Sequence, residues 1–321
     1  MSDPLALIRE DLVRVEAHFQ QNTRSQVGVI TEIGHYLQES GGKRLRPALV
    51  LLTARLCQCP EESMIRLAAI VEMIHSATLV HDDIIDGADM RRGRPSTNSR
   101  WGSHMSVLAG DWLYMQAFSL ALAERRFEIL DTLIGLTQNM VEGELIQFEL
   151  LGRVVTREQH MELIRRKTAC LFEVSSKLGA LAAGETAEVT QRLGCYGYHL
   201  GMAFQMVDDI LDFTASEETL GKPVGNDLRE GKMTLPAIYA WQQGTAGERE
   251  QIETVMDDGN YEQVTFAEIR DILERYGALD QARAEGRQHA EQARQQMLGF
   301  PASPWREALA SIPELLMNRD R

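Results

Sequence analysis

Two clusters of aspartates carry the chemistry open to this chain. The first is His81-Asp82-Asp83-Ile84-Ile85-Asp86, followed closely by Arg91, Arg92 and Arg94. The second is Phe204-Gln205-Met206-Val207-Asp208-Asp209-Ile210-Leu211-Asp212, 126 positions later (208 − 82), with Lys222 and Lys232 downstream. With about 3.6 residues per helical turn, the first and fifth residues of each Asp-Asp-x-x-Asp stand one above the other, and the second lies alongside. Carboxylates one turn apart repel and weaken a bare helix. A hard cation such as Mg²⁺ relieves that repulsion and still leaves coordination sites for water and phosphate oxygens. The nearby arginines and lysines suit the same phosphates. One such cluster alone reads best as a solvated helix end. Two, each backed by cations, point to a single diphosphate clamped by metals from two sides.

The elements that must position these clusters are helices. Apolar residues recur at helical spacing through nearly every long segment, and helix formers dominate. The spacing predicts helices at 4–21, 25–39, 46–57, 61–86, 99–123, 127–150, 157–182, 186–214, 229–243, 247–257, 263–275, 278–297 and 303–317. No run of alternating β-branched residues argues for a strand, and 91–98 reads as a loop. Both acidic clusters end helices that are apolar almost all round, as central bundle helices are. A helix C-terminus carries the negative end of the dipole, an unfavourable place for carboxylates unless cations bind there.

The chain has 321 residues, 44% hydrophobic and 25% charged, with a net charge of −14. That balance excludes a general affinity for nucleic acid or anionic lipid. The breakers between helices are short, so a single domain over 1–321 is expected. The four cysteines have neither zinc-like spacing nor a histidine pair, and read as reduced, buried thiols of a cytoplasmic protein. Neither a signal peptide nor a transmembrane segment is apparent. Three further features stand out: the basic Gly41-Gly42-Lys43-Arg44-Leu45-Arg46-Pro47 at a helix start, His75 two turns before Asp82, and Lys167-Thr168 in an apolar helix. Alone, each reads as well as an ordinary surface turn, a satisfied histidine and a snorkelling lysine.

The two aspartate motifs, Gly41-Gly42-Lys43-Arg44-x-Arg46-Pro47, Lys167-Thr168 and Gly231-Lys232 together resemble the motifs of the trans-isoprenyl diphosphate synthases, the polyprenyl synthetase family, in type, order and spacing, over a likeness running from about residue 30 to 320. The likeness is strongest to bacterial octaprenyl-type synthases. It implies an all-α helical bundle around a deep central cavity, and Mg²⁺-dependent 1′-4 condensation of isopentenyl diphosphate onto an allylic diphosphate such as farnesyl diphosphate. It also implies that Asp82, Asp86, Asp208 and Asp212 bind two or three Mg²⁺ ions. Arg91, Lys167, Lys222 and Lys232 would contact the allylic diphosphate, with Thr168 and Gln205 nearby. Lys43, Arg46, His75 and Arg92 would hold isopentenyl diphosphate, while Asp83 and Asp209 would serve mainly as hydrogen-bonding neighbours. A homodimer, transient membrane contact on product release, and a quinone side chain of about C40 are further implications.

Ala77 and Thr78, small residues five and four positions before Asp82, leave a product shaft open by the same likeness, with Phe118, Leu122 and Leu133 as candidates for its floor. A geranylgeranyl or hexaprenyl synthase is the alternative, and a non-catalytic partner subunit a weaker one. The sequence departs from the family pattern at Gly87, Asn226 and Met233 without touching the main ligands.

Overall fold

In the computed structural model, residues 4–39, 41–91, 93–215 and 224–318 are described. They are almost entirely helical and fall into two compact units. The first comprises Met1–Thr137, Leu171–Gly197 and Phe300–Leu309, and the second Gln138–Cys170, Tyr198–Gly299 and Ala310–Arg321.

In the first unit a short 3₁₀ turn leads into α1 (Arg9–Asn22), α2 (Gly28–Glu39), α3 (Leu45–Leu56) and α4 (Glu61–Ile85). A two-residue strand pair follows, Met90–Arg91 against Arg94–Pro95, where the sequence suggested only loop. Next come α5 (Thr97–Trp101), α6 (Ser103–Ala123) and the start of α7 (Phe127–Leu150). Helix α4 is the axis, packed by α1, α3 and α6. It is long and apolar enough to cross a membrane, yet most of its apolar window is buried inside the protein, as in a core helix. The expected helix 99–123 is broken at Gly102, whose φ of 80° lies outside the helical range.

The second unit holds the end of α7, α8 (Arg157–Ile164), a π-helical turn (Arg165–Ala169) and the later part of α10 (Ala187–Thr214); α9 (Cys170–Ala183) lies almost wholly in the first. Then come α11 (Asn226–Arg229), α12 (Leu235–Gln243), α13 (Ala246–Asp258), α14 (Phe266–Arg275), α15 (Ala278–Gln296) and α16 (Pro304–Met317), which begins in the first unit. Met202, Met206, Ile210 and Phe213 of α10 are buried in one apolar cluster with Leu235 and Ile238 of α12. The expected helix 229–243 is two pieces. Gly231 turns the chain at φ 75°, and Pro236, which lacks an N–H, suits the first turn of α12. All four cysteines are free; Cys57 and Cys170 are buried, whereas Cys59 and Cys195 are only partly so.

Candidate active site

The first acidic cluster closes α4. Gly87 N–H donates to the Ile84 carbonyl at 3.3 Å and Ala88 N–H to that of Asp83 at 2.9 Å, with Gly87 at φ 61°. This is a Schellman stop, and it explains a glycine where a side chain would be strained. It leaves Asp86 exposed as the C-cap and Asp82 half-buried one turn earlier. Asp83 turns inward, 3% exposed, and its Oδ1 accepts from Arg91 Nε at 2.5 Å. Burial pushes the Asp83 carboxyl above its usual range, against the pull of Arg91 and with added repulsion from Asp86.

The basic turn before α3 divides its labour. Arg44 sits in the left-handed region at φ 47°, a conformation costing roughly 1 kcal/mol or more for a non-glycine residue. Its guanidinium pairs with Glu72 and donates to the Gln38 carbonyl at 2.9 Å, so it anchors the turn to the unit's interior. Arg46 instead meets His75, with Nη1 and Nε2 3.2 Å apart, while its guanidinium lies 4.8 Å from the Phe172 ring centroid. Since arginine only donates, His75 Nε2 is the acceptor here. Lys43 is exposed. His75, Asp83, Arg91 and Gly41 line one depression of the first unit. Arg92 lies outside the described residues.

Ala77 is fully buried, Thr78 is half-buried with its hydroxyl bonded to the His75 carbonyl at 2.7 Å, and Phe118 is half-buried on α6. Leu133 is enclosed, but Leu122 is 52% exposed on the same outward stripe as Leu108 and Met115, which removes it from a cavity floor built within this chain.

The second acidic cluster ends α10. Asp208 is half-buried, Asp209 and Asp212 nearly inaccessible. Asp212 Oδ2 accepts the Asp227 amide at 3.0 Å and its carbonyl the Gly225 amide at 2.8 Å, fastening the segment after residue 224 to the helix end. A cavity of about 200 Å³ adjoins this cluster. Lys167, Thr168, Gln205 and Lys232, four of the residues named from sequence, come together on its wall with His160 and Asp209. Lys222 lies outside the described residues.

Lys167 and Thr168 sit on the π-helical turn, a wide turn common at functional sites. The Lys167 ammonium is held by Glu144 at 2.6 Å and Gln147 at 2.9 Å. The Thr168 hydroxyl donates to Gln205 Oε1 at 2.9 Å, and Gln205 Nε2 to Asp209 Oδ1 at 2.9 Å. Met233 is buried and its sulfur accepts the Val155 amide at 3.4 Å. The sequence reading did not single out His160, Glu144 or Gln147, and a lone histidine or a glutamate in a charged helix carries no signal that would have found them.

Among the described residues, no three His, Cys, Asp or Glu side chains converge as a ready-made metal cage. The carboxylates of Asp82, Asp86 and Asp208 are oxygen donors of the kind Mg²⁺ takes, an ion commonly held by one or two carboxylates with water and substrate phosphates completing its shell.

Residues 27–273 match the family model described as Polyprenyl synthetase. The octaprenyl diphosphate synthase of Escherichia coli (strain K12) is 36% identical over 316 residues, covering 98% of each chain. The all-trans-nonaprenyl-diphosphate synthase (geranyl-diphosphate specific) of Rhodobacter capsulatus is 35% identical over 319 residues, 99% of this chain and 97% of that one. The crystal structure of a polyprenyl synthase from Caulobacter crescentus CB15, complexed with calcium and isoprenyl diphosphate, superposes with a TM-score of 0.94 at 35% identity, covering 99% and 98% of the two chains. Such matches run far beyond the acidic motifs, through nearly every helix, and they make this chain a member of the polyprenyl synthetase family, an all-α prenyltransferase of the trans-polyprenyl diphosphate synthase type.

Proposed function

We propose that this enzyme is a long-chain synthase that adds isopentenyl diphosphate repeatedly, 1′-4, to an allylic diphosphate such as farnesyl diphosphate. The observation that carries this reading is the gathering of Lys167, Thr168, Gln205 and Lys232 on one cavity wall beside an acid-tipped helix. Two cations, a hydroxyl and an amide facing one hollow suit an anion with many acceptor oxygens.

Asp82, Asp86 and Asp208 are the carboxylates best placed for Mg²⁺. Asp212 completes the second motif with one oxygen already engaged by the Asp227 amide. Bound Mg²⁺ would act as a Lewis acid that stabilises charge on the departing diphosphate. Lys167 and Lys232 neutralise charge as the allylic C–O bond breaks. Arg46 and His75, with Lys43 and Arg92, hold isopentenyl diphosphate, whose double bond attacks the allylic cation; the new cation then loses a proton to the departed diphosphate, which forms the new double bond. The apolar helix faces exclude water that would quench that cation.

Ala77 offers no bulk one turn below the carboxylates, which supports a long product of about C40 and a role in quinone side-chain supply. The free thiols suit a reducing cytoplasm. A homodimer is supported by apolar residues at seven-residue spacing that stay exposed: Leu108, Met115 and Leu122 on α6, and Phe127, Ile134, Val141 and Phe148 on α7. Phe127 is 80% exposed, and stripes of this kind mark protein contacts. We take 1–321 as one working domain, since α7 and α10 each contribute residues to both units. Incubation with farnesyl diphosphate, labelled isopentenyl diphosphate and Mg²⁺, followed by sizing of the products, tests the proposal. No product would refute it, and a C20 or C30 product would correct its length.

A further inference from the structure

His160 is buried, 3% exposed, beside the cavity of the second unit. A reciprocal capping box fixes the start of its helix. Thr156 Oγ1 accepts the Gln159 amide at 3.2 Å, and Gln159 Oε1 accepts the Thr156 amide at 2.9 Å. From that base His160 Nε2 reaches Asp209 Oδ2 at 2.8 Å, across 49 positions of sequence. The other oxygen of Asp209 accepts from Gln205 Nε2, and Gln205 Oε1 accepts from Thr168. These four side chains form one series of hydrogen bonds, His160–Asp209–Gln205–Thr168, tying α8, α10 and the π-helical turn together.

A buried carboxylate needs donors, and here both its oxygens have one. That settles which way the Gln205 carboxamide faces. Its nitrogen must point at Asp209, so its oxygen must take the Thr168 hydroxyl. Gln205 also lines the cavity, which leaves the second N–H of its amide for a ligand there. Without His160, Asp209 would lose one of its two side-chain donors, and nothing would fix its carboxylate plane. The carboxylate would then swing, and the Gln205 amide bonded to it would lose its fixed position.

We propose that His160 is a positioning residue for the allylic diphosphate, acting through Asp209 to hold Gln205 with an N–H presented to the ligand. This deepens the proposed function and rests on it. Three variants separate positioning from packing. His160→Gln places an amide nitrogen near the Nε2 position; His160→Asn is equally polar but too short to reach; His160→Leu removes the donor.

The expected result is a KM for the allylic diphosphate raised about 10-fold or more in His160→Asn and His160→Leu, the equivalent of one charge-assisted hydrogen bond. The KM for isopentenyl diphosphate should stay within about 2-fold, and His160→Gln should restore most of the loss. In a Gln205→Leu background, His160→Leu should add little further. An allylic KM unchanged in His160→Asn and His160→Leu would overturn the proposal. So would equal losses for both substrates in all three variants. If the wild type makes no prenyl product, the functional reading falls by itself. Binding of inorganic pyrophosphate with Mg²⁺, measured calorimetrically on the same variants, then still decides whether His160 positions the anion site.

Discussion

The close approach of α7 to the π-helical turn makes Gly143 a sharp test of how finely Lys167 is placed. A Cβ built on Gly143 would lie 2.9 Å from the Lys167 backbone nitrogen, 3.0 Å from Arg166 Cβ and 3.1 Å from the Arg166 carbonyl carbon. Ordinary contacts of a Cβ begin at 3.4 Å, so Gly143→Ala is short of room by 0.5 Å (3.4 − 2.9). The obstructing atoms are mainly backbone and cannot rotate away. One of the two segments must move by about half an ångström. Lys167 is pinned by Glu144 and Gln147, both on the helix that carries Gly143, so the shift distorts those pairings directly. A misplacement of ~1 Å in an active site can cost about 100-fold in rate, so half that shift predicts a kcat loss of roughly 10-fold. Overpacking costs about 1–3 kcal/mol, against a gain of up to about 1 kcal/mol from alanine's helix propensity. The net is a modest fall in the melting temperature. The assay is steady-state prenyl transfer beside a circular dichroism melt, with Gly247→Ala as the control; that glycine is exposed in α13 with nothing within 4 Å of the added carbon. A Gly143→Ala enzyme with kcat within 2-fold of wild type and an unchanged melt would refute the reasoning.

Three further outcomes are expected. Ala77→Phe places a ring about 7.5 Å below Asp82, at 1.5 Å rise per residue, so the product should shorten by several isoprene units, and an unchanged length on chromatography would remove Ala77 from the shaft. Charge on the exposed stripe, as in Met115→Glu with Phe127→Glu, should convert a dimer to monomer by sedimentation; wild-type protein that is already monomeric contradicts the assignment. Stability should fall with acidity through His289, whose Nδ1 lies 2.9 Å from that of His199 and whose pKa drops to about 4, first through burial and then through His199. An unfolded histidine titrates near 6.5, so between pH 6.5 and 4 the unfolded chain binds the extra proton and acid favours unfolding. His289→Gln should flatten that part of the melting-temperature profile, and an equally steep profile in the variant would assign the effect elsewhere.

What the sequence revealed and what it hid follow from the range of each interaction. The apolar repeat of α4 and the aspartates at its end are local patterns, and the 61–86 reading differs from the observed Glu61–Ile85 by a single residue. Lys167-Thr168 was visible as a polar break in an apolar run, but the π-helical turn beneath it was not, because nothing at 165–169 interrupts the helical period. Gly102 looked tolerable inside a helix until its φ showed otherwise. Leu122 had the composition of a core residue; only its place on an outward seven-residue stripe separates it from Leu133. The anchoring role of Arg44 depends on Glu72, 28 positions away, and His160 meets its partner across 49. Side-chain pairs at such separations leave no periodic trace.

One feature common to both acidic motifs was only partly foreseeable. In a helix the second residue of Asp-Asp-x-x-Asp is rotated about 100° from the first, whereas the fifth is nearly in line with it. With Asp82 and Asp208 toward the open side, Asp83 and Asp209 must turn into the protein, and both are almost inaccessible. A carboxylate so placed is costly unless something donates to it. Each motif supplies the donor from a different source: Arg91 for Asp83, from the strand pair just after the helix, and His160 with Gln205 for Asp209. The doubled aspartate therefore divides into a first carboxylate available to a cation and a second that locks the helix end in place. Replacing the second by asparagine should loosen the site more than it lowers metal affinity. Asp83→Asn should release Arg91, whereas Asp209→Asn should free the Gln205 amide to turn over. Asp209→Asn should therefore reproduce the selective rise in allylic KM expected of His160→Asn.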